Sequence, residues 1–149
     1  MEINQKLNVE AKEFFDALAY SAAYDVSRAT GKKVNQDQLY SGCRYKKKLK
    51  NKLGQDGEVE VKIRRFESPS CYEAQFRSSQ GVNVILYEIE DDKNGSIMVH
   101  YKEEFEGASG AKALNYKLVS WFYRRSFKKR ASRMLLSMES YIKGQRAKG

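Results

Sequence analysis

A single histidine, two cysteines and the lack of any long apolar run remove most chemistries from this sequence before its pattern is considered. His100 stands alone, and its neighbours in strand phase are Met98 and Lys102. No Ser-His-Asp relay, Cys-His pair or histidine-based metal set can be assembled around it. Cys43 and Cys71 have neither CxxC spacing nor histidine neighbours, so they read as free thiols in a reducing compartment. No phosphate-cradling glycine loop or dinucleotide fingerprint follows a strand. The opening MEINQKLNVEAKEFF has no apolar signal-peptide core, and no run approaches the roughly 18 apolar residues of a membrane span. The expectation is a cytoplasmic protein with no catalytic residue, metal or cofactor, in which catalysis could arise only from carboxylates or tyrosines in a cavity.

What is present is enough for one core. The chain has 149 residues, 41% of them hydrophobic and 12% aromatic, which suits a single domain over 1–149 and excludes a disordered chain despite 32% charged residues. The net charge of +9 is unevenly placed. Lys117 to Gly149 holds ten Lys and Arg against one acid, Glu139, whereas Met1 to Tyr116 carries eighteen charges of each sign. Any partner drawn by the excess charge therefore meets the C-terminal part.

Met1 to Val9 alternates Ile3, Gln5, Leu7 and Val9 against polar residues, the period of a half-buried strand. From Glu10 to Thr30 the spacing becomes helical, with Phe14, Phe15, Leu18, Ala22 and Val26 on one stripe and Gly31 in the place of a C-cap. A short helical turn is expected from Asn35. Between Cys43 and Phe105 alternation returns, broken by turn residues at GQDG, SPS, SQG and KNGS, which predicts five consecutive antiparallel strands. A long helix is expected from about Ala111 to Lys143, ended by Gly144 and a basic tail.

The tract CRYKKKLKNKL places Arg44, Lys46, Lys48, Lys50 and Lys52 on one strand face. Pairing of Lys52 with Glu58 and Lys50 with Glu60 would make this a solvated face that blunts a sheet edge; the alternative is contact with a polyanion. Alternation also turns charge inward: Lys47 beside Tyr45 and Leu49, Arg65 beside Val61 and Ile63, Glu103 beside Val99, Tyr101 and Phe105. Such charges must pair, reach water at a strand end, or serve as polar handles in a wet, mostly apolar pocket.

In the last helix Tyr123, Phe127, Ala131, Met134, Leu135, Met138, Tyr141 and Ile142 form a stripe suited to gripping a sheet, with Arg125, Lys128, Lys129, Arg130 and Arg133 mostly off it. Leu114, Leu118, Trp121 and Phe122 form another stripe, which implies a kink near Tyr123 or a second apolar face for a pocket mouth or a homodimer contact.

The order strand, helix, short helix, antiparallel meander and long C-terminal helix resembles the helix-grip fold of the START-like (SRPBCC) superfamily, whose members include birch pollen allergen and polyketide-cyclase-like proteins. FFDAL, YDVSRATGKKV, GCRYKKKL, VHYKEEFE and FYRRSFKKRASRML resemble, over nearly the whole chain, a family of short uncharacterised proteins of low-GC Gram-positive bacteria. The resemblance implies a curved sheet gripping the C-terminal helix, often around an apolar cavity, and implies no reaction. The expected occupant is a small apolar or amphipathic ligand, with Tyr45, Lys47, Arg65, Tyr101, Glu103 and Trp121 as candidate cavity residues. The alternative is an electrostatic module for nucleic acid or anionic lipid, using Arg44, Lys46, Lys48, Lys50 and Lys52 with Arg125, Lys128, Lys129, Arg130 and Arg133.

Overall fold

The computed structural model describes the backbone of residues 1–50, 56–107 and 111–148, and the side chains of residues 1–48, 57–106 and 124–148. β1 (Glu2–Leu7) leads into α1 (Ala11–Thr30) and a short 3-10 turn (Gln36–Gln38). The meander β2 (Arg44–Lys50), β3 (Asp56–Glu67), β4 (Cys71–Ser78), β5 (Gly81–Asp91) and β6 (Ile97–Gly107) precedes α2 (Ala111–Lys148). The strands form one antiparallel sheet in the order β1-β6-β5-β4-β3-β2. The sheet curves around α2 in the helix-grip α+β arrangement. No helix among the described residues is long and apolar enough to cross a membrane.

α1 starts where the Glu10 amide donates to the Glu13 carboxylate at 3.0 Å. It stops at Gly31, whose φ of 72° permits a left-handed cap that donates to the Ser27 carbonyl at 2.9 Å. Its buried face is Ala11, Phe14, Phe15, Leu18, Ala19, Ala22 and Ala23, with Val26 partly buried at the edge. The small alanines let the helix lie close to the sheet. The largest fully buried side chains are Phe14 and Phe15, so the first helix supplies as much of the core as any strand.

Across the concave face of the sheet the register aligns one aromatic row: Phe66 opposite Tyr72, Tyr72 opposite Tyr87, Tyr87 opposite Tyr101. Ring centroids in this row lie 6.2, 6.2 and 4.9 Å apart, and Tyr101 stacks on Phe127 of α2 at 6.1 Å with 12° between the planes. The cross-strand aromatic pairs and the helix contact form one continuous band, so the sheet and the gripped helix share a single core.

Several expectations are corrected here. The β2–β3 hairpin pairs Lys48 with Glu58 and Lys46 with Glu60, not Lys52 and Lys50 with those carboxylates. The slip is by an even number of residues, so every side chain keeps its face. In β3 the register shifts between Ile63 and Arg65, a bulge at Arg64 that reverses the alternation. Phe66 takes the inward place expected of Arg65, and Arg65 is exposed. On α2, Phe127, Ala131, Leu135 and Ile142 are buried as the stripe requires, but Met134 and Met138 are only partly buried and Tyr141 is 53% exposed. The helix also runs through Gly144 to Lys148 instead of ending there. Glycine costs a helix interior about 1 kcal/mol relative to alanine. Burial of Ile142 before it and the two hydrogen bonds from the Arg146 guanidinium to the Glu13 carboxylate after it hold the last turns in place. The α2 backbone passes position 123 within one helix; the side chains of Leu114, Leu118, Trp121 and Phe122, and with them the expected homodimer contact, lie outside the described residues.

Candidate functional site

Beyond the aromatic band, toward the β2 side and the far ends of the strands, the concave face becomes more open and more polar. One row runs Tyr45, Val61, Phe76, Asn83 and Phe105 across β2 to β6; the row between it and the band runs Ile63, Ala74, Ile85 and Glu103. Ile63, Ala74 and Val61 are buried, Phe76, Asn83, Ile85 and Glu103 are half-buried, and Phe105 is exposed. The surface is thus apolar at its floor and polar at its margin.

Its polar centre is a three-residue cluster. Tyr45 Oη donates to Asp25 Oδ2 at 2.5 Å, and Lys47 Nζ donates to the same oxygen at 3.0 Å. The Lys47 ammonium also stands 5.6 Å from the centre of the Phe76 ring, a cation–π arrangement. Alternation on β2 puts Tyr45 and Lys47 inward, two residues apart, and α1 delivers Asp25 from above. The Lys47 side chain is 23% exposed and Asp25 37%, so the pair is neither dry nor fully solvated. Burial, and then the Asp25 carboxylate, push the Tyr45 phenol up, so it stays a protonated donor at neutral pH. Burial likewise pushes the Tyr72 phenol up to about 12. It raises Tyr87 too, with Tyr72 and Glu103 adding to the effect. The Tyr87 hydroxyl lies 3.9 Å from Met134 Sδ.

Of the sequence-derived cavity candidates, Tyr45 and Lys47 come together and Glu103 shares their face. Tyr101 is buried within the aromatic band, stacked on Phe127. Arg65 is not inward: the bulge at Arg64 turns it out, where it pairs with Glu67 at 3.1 Å. Trp121 lies outside the described side chains. The residues the pattern missed are Asp25 and Phe76. Asp25 follows Leu18 and Ala22 by helical steps, which sets it on the border of the apolar stripe, and a carboxylate there was the available signal. Among the described residues no cluster of three or more His, Cys, Asp or Glu converges on a metal site.

The cationic candidates divide into two kinds. On β2, Arg44 pairs with Glu60 at 3.6 Å and Lys46 with Glu58 at 3.5 Å, while Lys48 is exposed opposite Glu58. The side chain of Lys50 and all of Lys52 lie outside the described residues. On α2, Arg125, Lys128, Lys129, Arg130 and Arg133 are all exposed, and Arg130 donates to the Ser126 hydroxyl at 3.0 Å.

Residues 1–124 match the family described as domain of unknown function DUF3284. The chain belongs to that family. No curated protein matches it by sequence. Among solved structures, the DUF3284 chain is similar to the protein of unknown function SA2116 from Staphylococcus aureus, with a TM-score of 0.62 at 11% identity, covering 100% of this chain and 96% of that one. It is also similar to Mll3558 from Rhizobium loti (TM-score 0.60, 11% identity, 94% of each chain). A further likeness is to Ara h 8.0201 (TM-score 0.59, 12% identity, 97% of each chain). At these identities the likeness establishes the helix-grip fold of the DUF3284 chain and nothing about its activity.

Proposed function

We propose that this chain binds a small, partly apolar ligand on the concave face between the sheet and α2, and that it does so as a noncatalytic, cytoplasmic member of the START-like (SRPBCC) superfamily of Gram-positive bacteria. The observation that carries the reading is the Tyr45–Asp25–Lys47 cluster, half-buried on a surface whose floor is Val61, Ile63 and Ala74. A stability-driven core would gain by replacing such a cluster with apolar side chains, since partly buried ion pairs contribute little net stability. A ligand site gains from it, because a few fixed polar groups on an apolar wall orient a bound molecule. Lys47 and the Phe76 ring offer an anionic or aromatic group of the ligand two kinds of contact, and the Tyr45 hydroxyl a third.

The test is titration with 1-anilinonaphthalene-8-sulfonate, an amphiphile carrying one anionic group, followed by its fluorescence and by the melting temperature. Saturable binding should stabilise the fold, and Lys47→Met should weaken it at least tenfold, about 1.4 kcal/mol. Lys48→Met, on the opposite face of the same strand, should leave it unchanged. Equal loss in both variants, or no saturable binding, would remove the concave face as the site.

A further inference from the structure

β2 is the last strand of the sheet, and β3 is its only neighbour there. The phase of its hydrogen bonds is set where the strand begins. The Gly42 amide donates to the Ile63 carbonyl and the Ile63 amide to the Cys43 carbonyl at 2.9 Å, with Gly42 at a φ of 101°. This is a glycine bulge, and it makes Cys43 and Ile63 a hydrogen-bonded pair. Bonded pairs recur at every second residue of an antiparallel ladder, so Tyr45 and Lys47 direct their backbone groups to Val61 and Val59. The amides and carbonyls of Arg44, Lys46 and Lys48 point the other way. No backbone group among the described residues meets them there, and all three residues are exposed.

The side chains of the same three residues lie on the convex face, opposite to Tyr45 and Lys47. Lys62 and Arg77 share that face, so this corner of the sheet holds five cations against two carboxylates, Glu58 and Glu60, among its described residues. A free row of main-chain donors and acceptors is a template for an extended polypeptide, which a nucleic acid or a lipid surface has no amides to complete. A second copy of β2 is the wrong polypeptide. Antiparallel self-pairing about Lys46 would set Arg44 against Lys48 twice and Lys46 against its own counterpart, three contacts between like charges. The chain itself shows which strand suits these cations. β3 offers the inner edge Glu58, Val59 and Glu60, with carboxylate oxygens 3.6 Å from Arg44 and 3.5 Å from Lys46. Lys48 forms no ion pair among the described residues. We propose that the outer edge of β2 captures an acidic extended peptide with Asp or Glu at every second position. It would add a seventh strand to the six of the sheet, its carboxylates over Arg44, Lys46 and Lys48, on the opposite face from the concave ligand site.

Fluorescence anisotropy of the full chain with two labelled peptides of identical composition, GSEVEVEGS and GSVEEEVGS, at about 50 mM KCl, tests this. The alternating peptide should bind at least tenfold more tightly than the scrambled one. N-methylation of its three Glu amides, which face β2, should abolish binding, whereas N-methylation of its two Val amides, which face solvent, should be tolerated. On the protein, Lys46→Pro removes one edge amide and leaves the ladder to β3 intact, since proline fits an edge strand with its nitrogen outward. It should weaken binding at least tenfold at an unchanged melting temperature, against about threefold or less for Lys46→Gln, which removes only the charge. Should Lys46→Pro fail to fold, the two N-methylated peptides decide the matter on the native protein. Equal binding of the alternating and scrambled peptides would overturn the proposal in favour of a general polyanion contact, and equal tolerance of both N-methylations would exclude strand addition. Absence of binding, or binding of GSKVKVKGS as tightly as the acidic peptide, would overturn it as well.

Discussion

Phe127→Ala is the sharpest perturbation of the grip between helix and sheet. The side chain is 2% exposed and stacks on Tyr101, which in turn packs on Tyr87, so truncation opens a void at the end of the aromatic band where the neighbours on β6 and β5 are already fixed. Loss of a buried phenyl group with little collapse costs about 3 to 5 kcal/mol. For 149 residues the unfolding entropy is about 0.3 kcal/mol per kelvin, so the melting temperature should fall by about 10 to 16 °C. Met138→Ala, at a site only partly buried, should cost clearly less. Part of the Phe127 cost belongs to the stacked pair itself: in a Tyr101→Leu background the same truncation should cost about 1 kcal/mol less, the coupling expected of an aromatic pair. Urea unfolding of the four proteins of this cycle, with Lys46→Gln, Lys48→Gln as a surface control within about 0.5 kcal/mol per site, measures all of these terms. A Phe127→Ala cost below that of Met138→Ala would refute the assignment of the gripping face, and zero coupling to Tyr101 would refute the continuity of the band.

Deletion of Arg64 should be tolerated, lowering stability by no more than about 2 kcal/mol, because it restores a regular ladder and leaves Ile63 and Phe66 inward; deletion of Val61 should abolish folding by flipping half of β3, and circular dichroism of the purified variants distinguishes the two. Alkaline pH should destabilise the fold. Burial pushes the Tyr72 phenol from an ordinary value of 10.0 up to about 12, and raises Tyr45 and Tyr87 as well. The folded state thus disfavours phenolate: the contribution is complete below pH 10 and is lost as pH rises through 12, so the urea midpoint should fall across that window, less steeply in Tyr72→Phe, and a flat profile would contradict the burial.

The sequence carried the order of elements because each one changes the apolar period. Ile3, Gln5, Leu7 and Val9 step by two, Phe14, Leu18 and Ala22 by four, and Gly31 closes the helix where a left-handed residue was needed. What escaped was the phase inside a strand. Strict alternation forced Arg65 inward beside Ile63, a place where a charge without a partner is costly. The chain avoids that cost with one inserted residue, and the trace in the sequence is the pair Arg64-Arg65 between Ile63 and Phe66, two outward residues in succession. The site escaped for a different reason. Tyr45 and Lys47 were visible as inward polar residues on β2, but the carboxylate that joins them lies on α1, and no periodicity reports which helix residue crosses above which strand. Likewise the one-sided charge of β2 and its meeting with Glu58 and Glu60 were legible, whereas which cations meet them, Arg44 and Lys46 rather than Lys50 and Lys52, depended on a hairpin register that loop composition does not fix.

The place of β1 in the sheet sets the timetable of folding. Glu2 pairs with Lys102 and Leu7 with Ile97, so during synthesis β1 emerges on the order of ten seconds before the strand it pairs with, at ordinary elongation rates. Until then Leu7, essentially dry in the finished domain, lacks its β6 neighbour Ile97, whereas Phe14 and Phe15 can already meet Tyr87 of β5 and Phe66 of β3. The meander from β2 to β5 can assemble locally in the meantime, since each strand follows its neighbour in sequence. The closing step joins β1 to β6 across the longest sequence separation of any strand pair in the sheet, which makes it slow relative to the hairpins. A nascent chain halted before β6 is therefore not a smaller version of this protein but an open sheet with β1 unpaired and the edge of β5 bare, a natural client for chaperones and proteases.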